Sequence, residues 1–392
     1  MSKHLNVTIV GGGFGGVKAA LELSKESSNR ITLISDKTDF QYYPALFATA
    51  TGHSHRESWV PLIDIFKDRS NVKLVHDGIR TIDTSARLLT GDNGKYHYED
   101  AILALGSVTT YFGIEGLDTY AFGIKSQEEI RRLQEHLWDE MSDGSDDEKN
   151  YVIIGAGPTG VELAGALGEY LRTLRTHFGI RKKRLRISLI EAAPRVLPRL
   201  SQASSDRALL QLKKLGINVE TNKKVERQTA DSLIVNGKPL MTQTVIWTSG
   251  VTNAPFYQAN ADQFTLNERG KVKVDMFLRS HDHLYVIGDN ADTPYAGLAQ
   301  TALHDAIFVS KHLMGAKNAY KAIQPPCVVP IGHNWALFEW GGLRFGGLPG
   351  AFMREAADII GYRDVLPIGW AFKAWRAKSV KELRIPETLG DA

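Results

Sequence analysis

The stretch Val7–Gly16, VTIVGGGFGG, constrains this chain more than any other. A short β-branched run, Val7, Ile9 and Val10, breaks into Gly11, Gly13 and Gly16 at GxGxxG spacing, and a helical pattern with Val17, Ala20, Leu21 and Leu23 on one face follows at once. Gly11 permits a tight turn, Gly13 lets a pyrophosphate approach the backbone, and Gly16 lets helix and strand pack closely, with the phosphates at the positive helix end. Alone, that spacing turns up by chance in Gly-rich loops. Here strand, turn and helix stand in order, and the pattern recurs at Val152–Gly160, VIIGAGPTG, with Gly155, Gly157 and Gly160 in the same places. Two dinucleotide folds imply two dinucleotides, and two dinucleotides imply electron transfer between them.

The expected fold class follows: α/β, with two Rossmann-like dinucleotide-binding domains, the second inserted in the first, plus a C-terminal segment. A chain of 392 residues is long enough for two or three such domains. Its formal charge of +3 is too small to argue for nucleic acid. Cys327 is the only cysteine, so an intramolecular disulfide, a redox-active Cys pair and a Cys-based metal cluster are all excluded. That removes the disulfide reductases and argues against a cysteine-dependent sulfide oxidase; no metal site is expected. The chemistry must come from a bound cofactor. No secretory leader is visible, and the mostly apolar stretch Tyr151–Leu171 carries Glu162, Glu169 and a glycine loop, unlike a spanning helix. A cytoplasmic location is expected, with contact at the inner face of the cell membrane left open.

Along the chain, Val7–Val10, a helix to about Ser27 and a strand Ile31–Ser35 form the first βαβ unit. Asp36 lies about twenty positions past the last glycine, where an acidic residue bonds the ribose hydroxyls of an adenosine; otherwise it is an Asp in a surface turn. Phe40–Thr51, FQYYPALFATAT, either walls a flat ring system or is a buried loop. Ala101–Gly106, AILALG, reads as a buried strand closing on a glycine, Ser126–Asp139 as a helix, and Ser142–Lys149 as a solvated loop. The second unit runs through Tyr151–Ile154, a helix past Tyr170 and a strand Ile187–Ile190 ending in Glu191. Arg181–Arg186 is a basic connection or, alternatively, a phosphate contact. Thr244–Gly250, TVIWTSG, is the counterpart of AILALG; Leu284–Asp289 ends a strand in a carboxylate, and Ala299–Met314 has a helical pattern.

The ordered set VTIVGGGFGG, ILALGS, VIIGAGPTGVELAGAL, VIWTSGV and YVIGDNAD resembles the two-dinucleotide flavoproteins, the pyridine-nucleotide-dependent oxidoreductases. Within them, FQYYPALFATATG, YFGIEGL, LIEAAPRVLP and AQTA resemble the type II NADH dehydrogenases, which are NADH:quinone oxidoreductases of the respiratory chain. The likeness covers roughly residues 5 to 345 and is specific in order and spacing. It implies an FAD-binding domain of residues 1–118 and 251–330, an NADH-binding domain of 119–250 and a C-terminal segment of 331–392. FAD would lie against Gly11, Gly13, Phe14, Gly16, Asp36, Ala104, Gly106, Asp289 and Ala299, and NADH, as substrate, against Gly155, Gly157, Gly160, Glu191 and Gly250. Asp289 would contact the ribityl-phosphate region, and the helix after it would point its positive end at the flavin. Glu162 matches the family's Glu beside the nicotinamide, or is a first-turn Glu favoured by the helix dipole. The resemblance implies hydride transfer from NADH to flavin and two electrons onward to a quinone, without proton pumping.

Three departures stand out: Ser35 where the family often has the acidic residue, Asn290 where a Cys is common, and His304 where the quinone motif usually ends in Gln. On a helix, Gln300 and His304 share one face and could offer donors to a quinone's oxygens, with Ala299 and Thr301 leaving room and Tyr43 and Phe47 as walls. Alternatively they only bond the backbone or each other. Glu191 argues for NADH over NADPH, with Arg195 as the opposing signal. Leu366, Trp370, Phe372 and Trp375 mix with Lys373, Arg376, Lys378 and Lys381 as in an interfacial membrane segment, or else pack on the protein's own core. Remaining alternatives are a soluble flavoprotein reductase serving a protein carrier or oxygen, and a non-catalytic NADH-binding sensor. A second copy of the chain is a candidate partner.

Overall fold

The computed structural model describes residues 4–143, 148–180 and 184–385. The first sheet is six-stranded, in the order Arg279–His281, Leu284–Val286, Asp100–Leu103, Asn6–Val10, Arg30–Ser35 and Val72–His76. All its pairings are parallel except the antiparallel edge at Arg279–His281. Parallel strands need crossover connections, and the helices that make them cover the sheet. Val7, Ile9, Leu33 and Ile102 are accordingly buried, each contributing roughly 1.5–3 kcal/mol in transfer terms. The Phe14–Leu23 helix buries Val17, Ala20 and Leu23 against this core, and Ala302, Ala306 and Val309 of the Ala299–Leu313 helix join the same cluster.

The first helix stops at Leu23, short of the expected Ser27. Asn29 is the physical reason: its amide nitrogen donates to the Leu23 carbonyl and its oxygen accepts from the Leu5 N–H, so the chain must turn early to enter the next strand. The Ser126 side chain opens a reciprocal capping box with Glu129, and the helix runs over Gln127–Ser142.

The second sheet has four parallel strands in the order Asn218–Glu220, Leu185–Ile190, Lys149–Ile154 and Thr244–Trp247. Its crossover helix is Pro158–His177. Ser107–Thr109 and Val251–Asn253 carry the chain between the two sheets and back, paired antiparallel as a two-stranded link. Half of the polar stretch Ser142–Lys149 and half of the basic stretch Arg181–Arg186 lie outside the described residues.

A three-stranded antiparallel sheet, Cys327–Pro330, Ala336–Trp340 and Leu343–Gly347, precedes helices Leu348–Val365 and Ile368–Ala377. Glu339 of this sheet accepts from the Ser201 N–H at 3.1 Å, at the N-terminus of the Gln202–Lys214 helix, which ties the sheet to the second dinucleotide unit. Ala371 and Ala374 of the last helix pack into the core of the first unit, as does Leu366. The apolar residues expected at a membrane surface therefore divide: Leu366 is core, Trp370 and Trp375 pack partly against it, and Phe372 is exposed. Among the described residues no helix is long and apolar enough to cross a membrane.

Candidate functional site

The two glycine turns repeat one geometry. Gly11 holds φ +113° and Gly155 φ +102°, left-handed backbone that a side chain would strain. A Cβ on Gly16 would collide with the Gly11 carbonyl oxygen, and one on Gly160 with that of Gly155. These glycines bring helix and strand together. Gly13 and Gly157 differ: a Cβ at either meets nothing within 4 Å. Each caps its helix N-terminus and leaves its face bare for a ligand.

A cavity of about 760 Å³ begins at the first turn, passes Ala104–Ser107 and Asp289, and ends at Pro158, Thr159 and Glu162, the start of the second unit's helix. It thus spans the gap between the two dinucleotide folds. Of the expected residues, Gly11, Gly13, Phe14, Asp36, Ala104, Gly106, Asp289, Ala299, Gly250 and Glu162 line it. Gly16 lies behind the turn, in the helix–strand contact. Gly155, Gly157, Gly160 and Glu191 build the second turn and are not in this lining.

The aromatic stretch after the second strand divides between core and cavity. Phe40 is core and meets the Phe14 ring edge-on at 5.1 Å, and Tyr42 stacks on Tyr362 at 4.1 Å. Tyr43, Leu46 and Phe47 instead face the cavity.

Asp289 sits on the turn Gly288–Asn290 at the end of the Leu284–Val286 strand and accepts from the Ser107 hydroxyl at 2.6 Å. Asn290 stitches this turn to the neighbouring strand end by accepting from Gly106 N–H at 2.9 Å and donating to the Gly106 carbonyl. The buried Asp305 completes the clamp, accepting from Gly288 N–H at 3.0 Å and from Tyr320 Oη at 2.6 Å.

Glu162 is brought against Arg354 of the Leu348–Val365 helix, with Oε1 3.8 Å from Nη1. Burial pushes its carboxyl up to about 8, with Arg354 pulling the other way. Arg354 also donates to the Pro44 carbonyl at 2.7 Å and from Nε to Asp358 at 3.0 Å, and Asp358 meets Lys378 at 2.8 Å. Burial works against the guanidinium's charge, yet Asp358 and Glu162 hold it firmly protonated. The C-terminal helices thus supply a residue to the site. No local motif in the sequence marks Arg354, because its partners come from elements far apart in the chain.

Gln300 and His304 depart from expectation. Neither lines the cavity. The helix turns about 100° per residue, so Ala299 and Ala302 face inward while His304 lies roughly 140° round from Ala299. His304 Nε2 is engaged with the Lys321 carbonyl at 3.0 Å, its ring 5.5 Å from that of Tyr320, and Gln300 is exposed. The reading in which these residues bond the backbone is the one His304 adopts.

Glu191 accepts from Ala156 N–H at 2.6 Å and Ala193 N–H at 2.8 Å, fixing it beside the second glycine turn. Arg195 is directed elsewhere: its guanidinium donates to the Leu200 carbonyl, the Ser205 hydroxyl and the Pro198 carbonyl at 2.6–2.7 Å.

Lys125 and Ser107, which the sequence reading did not single out, also line the cavity. The signals that could have found them are modest: Ser107 follows AILALG directly, and Lys125 immediately precedes the capping box.

The pyridine nucleotide-disulphide oxidoreductase family model matches residues 5–319. A type II NADH:quinone oxidoreductase of Staphylococcus haemolyticus is 27% identical over 395 residues, 94% of this chain and 97% of that protein. That of Staphylococcus aureus is 25% identical with the same coverage. Among solved structures, NDH2 from Plasmodium falciparum in complex with NADH superposes with a TM-score of 0.85 at 18% identity, covering 96% of this chain and 97% of that one. The sulfide:quinone oxidoreductase of Aquifex aeolicus does so with 0.76 at 17% identity, covering 98% and 93%. At such identities the structural likeness speaks for the fold.

Proposed function

Because the chain belongs to the pyridine nucleotide-disulphide oxidoreductase family, we propose that it is an FAD-dependent NADH:quinone oxidoreductase of the type II class. Its full-length curated relatives carry that name. The observation that carries the reading is the single cavity running from the bare Gly13 turn to Glu162.

The residues fit the flavin. Gly11 and Gly13 offer a backbone cradle that a Cβ on Gly13 would fill, the helix N-terminus behind them favours phosphate, and Asp289 faces the same cavity. The chemistry the flavin supplies when bound is acceptance of a hydride from NADH and delivery of two electrons to a quinone, without proton pumping. The protein's own groups bind, orient and exclude water. Tyr43 and Phe47 close the aromatic side. Glu162, with its raised pKa, holds a proton on its carboxyl near neutrality beside the Arg354 guanidinium.

We assign the first sheet's elements to FAD and the inserted second sheet to NADH, the Gly155–Gly160 turn and Glu191 holding the latter. For the quinone, the inward Ala299 and Ala302 with Tyr43 and Phe47 form the better mouth; His304 is spoken for. The exposed side chains of the last two helices, Phe352, Ile368 and Phe372, with Lys373 and Arg376 beside them, favour peripheral attachment to an anionic membrane surface.

Steady-state oxidation of NADH tests the acceptor. A short-chain quinone should raise the rate well above that with oxygen alone or with a small redox carrier protein. A rate that is the same without quinone contradicts the reading.

A further inference from the structure

Lys125 is held in the cavity with unusual definition for a lysine. Its carbonyl accepts from Gln41 Nε2 at 2.5 Å, and its N–H donates to the Glu129 carboxylate at 2.6 Å. Gln41 is buried in the first dinucleotide unit and Glu129 belongs to the capping box of the Gln127–Ser142 helix, so the backbone is clamped from both sides. The stem then reaches the Ser107 hydroxyl, to which Nζ donates at 2.8 Å; Ser107 in turn donates to Asp289 at 2.6 Å. The Tyr43 ring lies 5.9 Å from the ammonium. Lys125, Ser107, Asp289 and Tyr43 all line the cavity.

An ammonium has three donors, and among the described residues Lys125 spends one of them, on Ser107. Burial pushes it down to about 8, while Asp289 and Glu129 work to keep it charged and Lys37 opposes them. A cation partly withdrawn from water acts with greater electrostatic strength than one in bulk water.

We propose that Lys125, latched through Ser107 and Asp289, is a charge-positioning residue that raises the electron affinity of the flavin bound in this cavity. The inference rests on the flavin reading above. A flavin gains negative charge with its electrons, and a fixed positive charge favours that form over the oxidised one. The charge is present below about pH 8 and is lost as pH rises through that value.

The test is spectroelectrochemical titration of the purified holoprotein. Lys125→Met should lower the flavin midpoint potential by at least a tenfold change in the reduced-to-oxidised ratio, about 30 mV for a two-electron couple. Lys125→Arg should restore most of it. The gap between wild type and Lys125→Met should be full well below pH 8 and shrink above it. Where Lys125→Met does not retain flavin, Ser107→Ala, which unlatches the ammonium without removing it, should shift the potential in the same direction by a smaller amount. An unshifted potential in the flavin-loaded Lys125→Met protein, or in Ser107→Ala where that protein is flavin-free, overturns the proposal. A wild-type protein with no flavin instead overturns the functional reading on which it rests.

Discussion

Glu162 shows how one residue acquires a property that its sequence context only hints at. Read along the chain it is a first-turn glutamate of a dinucleotide helix; in the fold the helix starts at Pro158, which puts Glu162 in the second turn, as a nearly buried carboxyl facing the Arg354 guanidinium. Its pKa is raised from 4.5 to about 8. The folded state therefore binds a proton that the unfolded chain has released. The stability this contributes is full below about 4.5 and is lost as pH rises through about 8, at roughly 1.4 kcal/mol per unit of difference. Glu162→Gln should gain stability relative to wild type, by a few kcal/mol in order of magnitude, as pH rises across that window. Thermal melts of both proteins against pH check it, and parallel curves would contradict it. The choice of nucleotide is also decided residue by residue. Glu191 spends two of a carboxylate's roughly four acceptor positions on backbone N–H groups, leaving the rest for ribose hydroxyls. Arg195, the sequence's counter-argument, is directed to two loop carbonyls and a serine. The catalytic efficiency with NADH should exceed that with NADPH by roughly tenfold or more, and Glu191→Gln should narrow the ratio. Equal efficiencies in the wild type would refute this.

The glycine turns show where sequence is sufficient at the scale of an element. Strand, turn and helix of both units were legible because spacing, β-branching and the helical apolar face all call for the same local geometry. The structure adds a distinction that the motif hides. Gly13 faces open cavity whereas Gly16 is pressed on the Gly11 carbonyl, so the same substitution should have two different outcomes. Gly13→Val should give a folded protein without flavin, and Gly16→Val a protein that does not fold. Circular dichroism and flavin content separate them, and loss of fold in Gly13→Val would contradict the assignment. What could not be read is equally specific. The first helix ends early because of Asn29, and His304 turns outward because the segment carrying Lys321 covers its face of the helix. Both depend on contacts between elements, which local periodicity does not encode. The i, i+4 spacing supported an inward Gln300 and His304, but spacing cannot say what the segment around Lys321 does. Arg354 and Lys125 escaped for the same reason: a cation becomes a site residue only when distant strands and helices converge on it.

For the whole molecule, the C-terminal segment has more than one task. It contributes Leu366, Ala371 and Ala374 to the core of the first unit, and Arg354 as the partner of the cavity residue Glu162. Glu382, beyond the last helix, accepts from Ser54 Oγ at 2.6 Å and from His55 N–H at 3.0 Å, while Ile385 N–H donates to Gln134 at 2.8 Å. That strap links the two dinucleotide units, so removing the last helix would expose core and cannot isolate a membrane role. Point changes can. Ile368→Ser with Phe372→Ser, both exposed positions, should leave flavin content and NADH-driven bleaching intact and weaken sedimentation with anionic liposomes several-fold. Undiminished liposome binding would place the contact elsewhere. The central claim, that the cavity reaching from the first glycine turn to the start of the second unit's helix passes electrons from NADH through flavin to a quinone, is tested most directly by one anaerobic visible spectrum recorded in three steps. The purified protein should show a flavin band, NADH should bleach it, and a short-chain quinone should restore it, with FAD released on denaturation. A colourless protein, or a flavin band that NADH leaves untouched or that quinone does not bring back, would contradict the account.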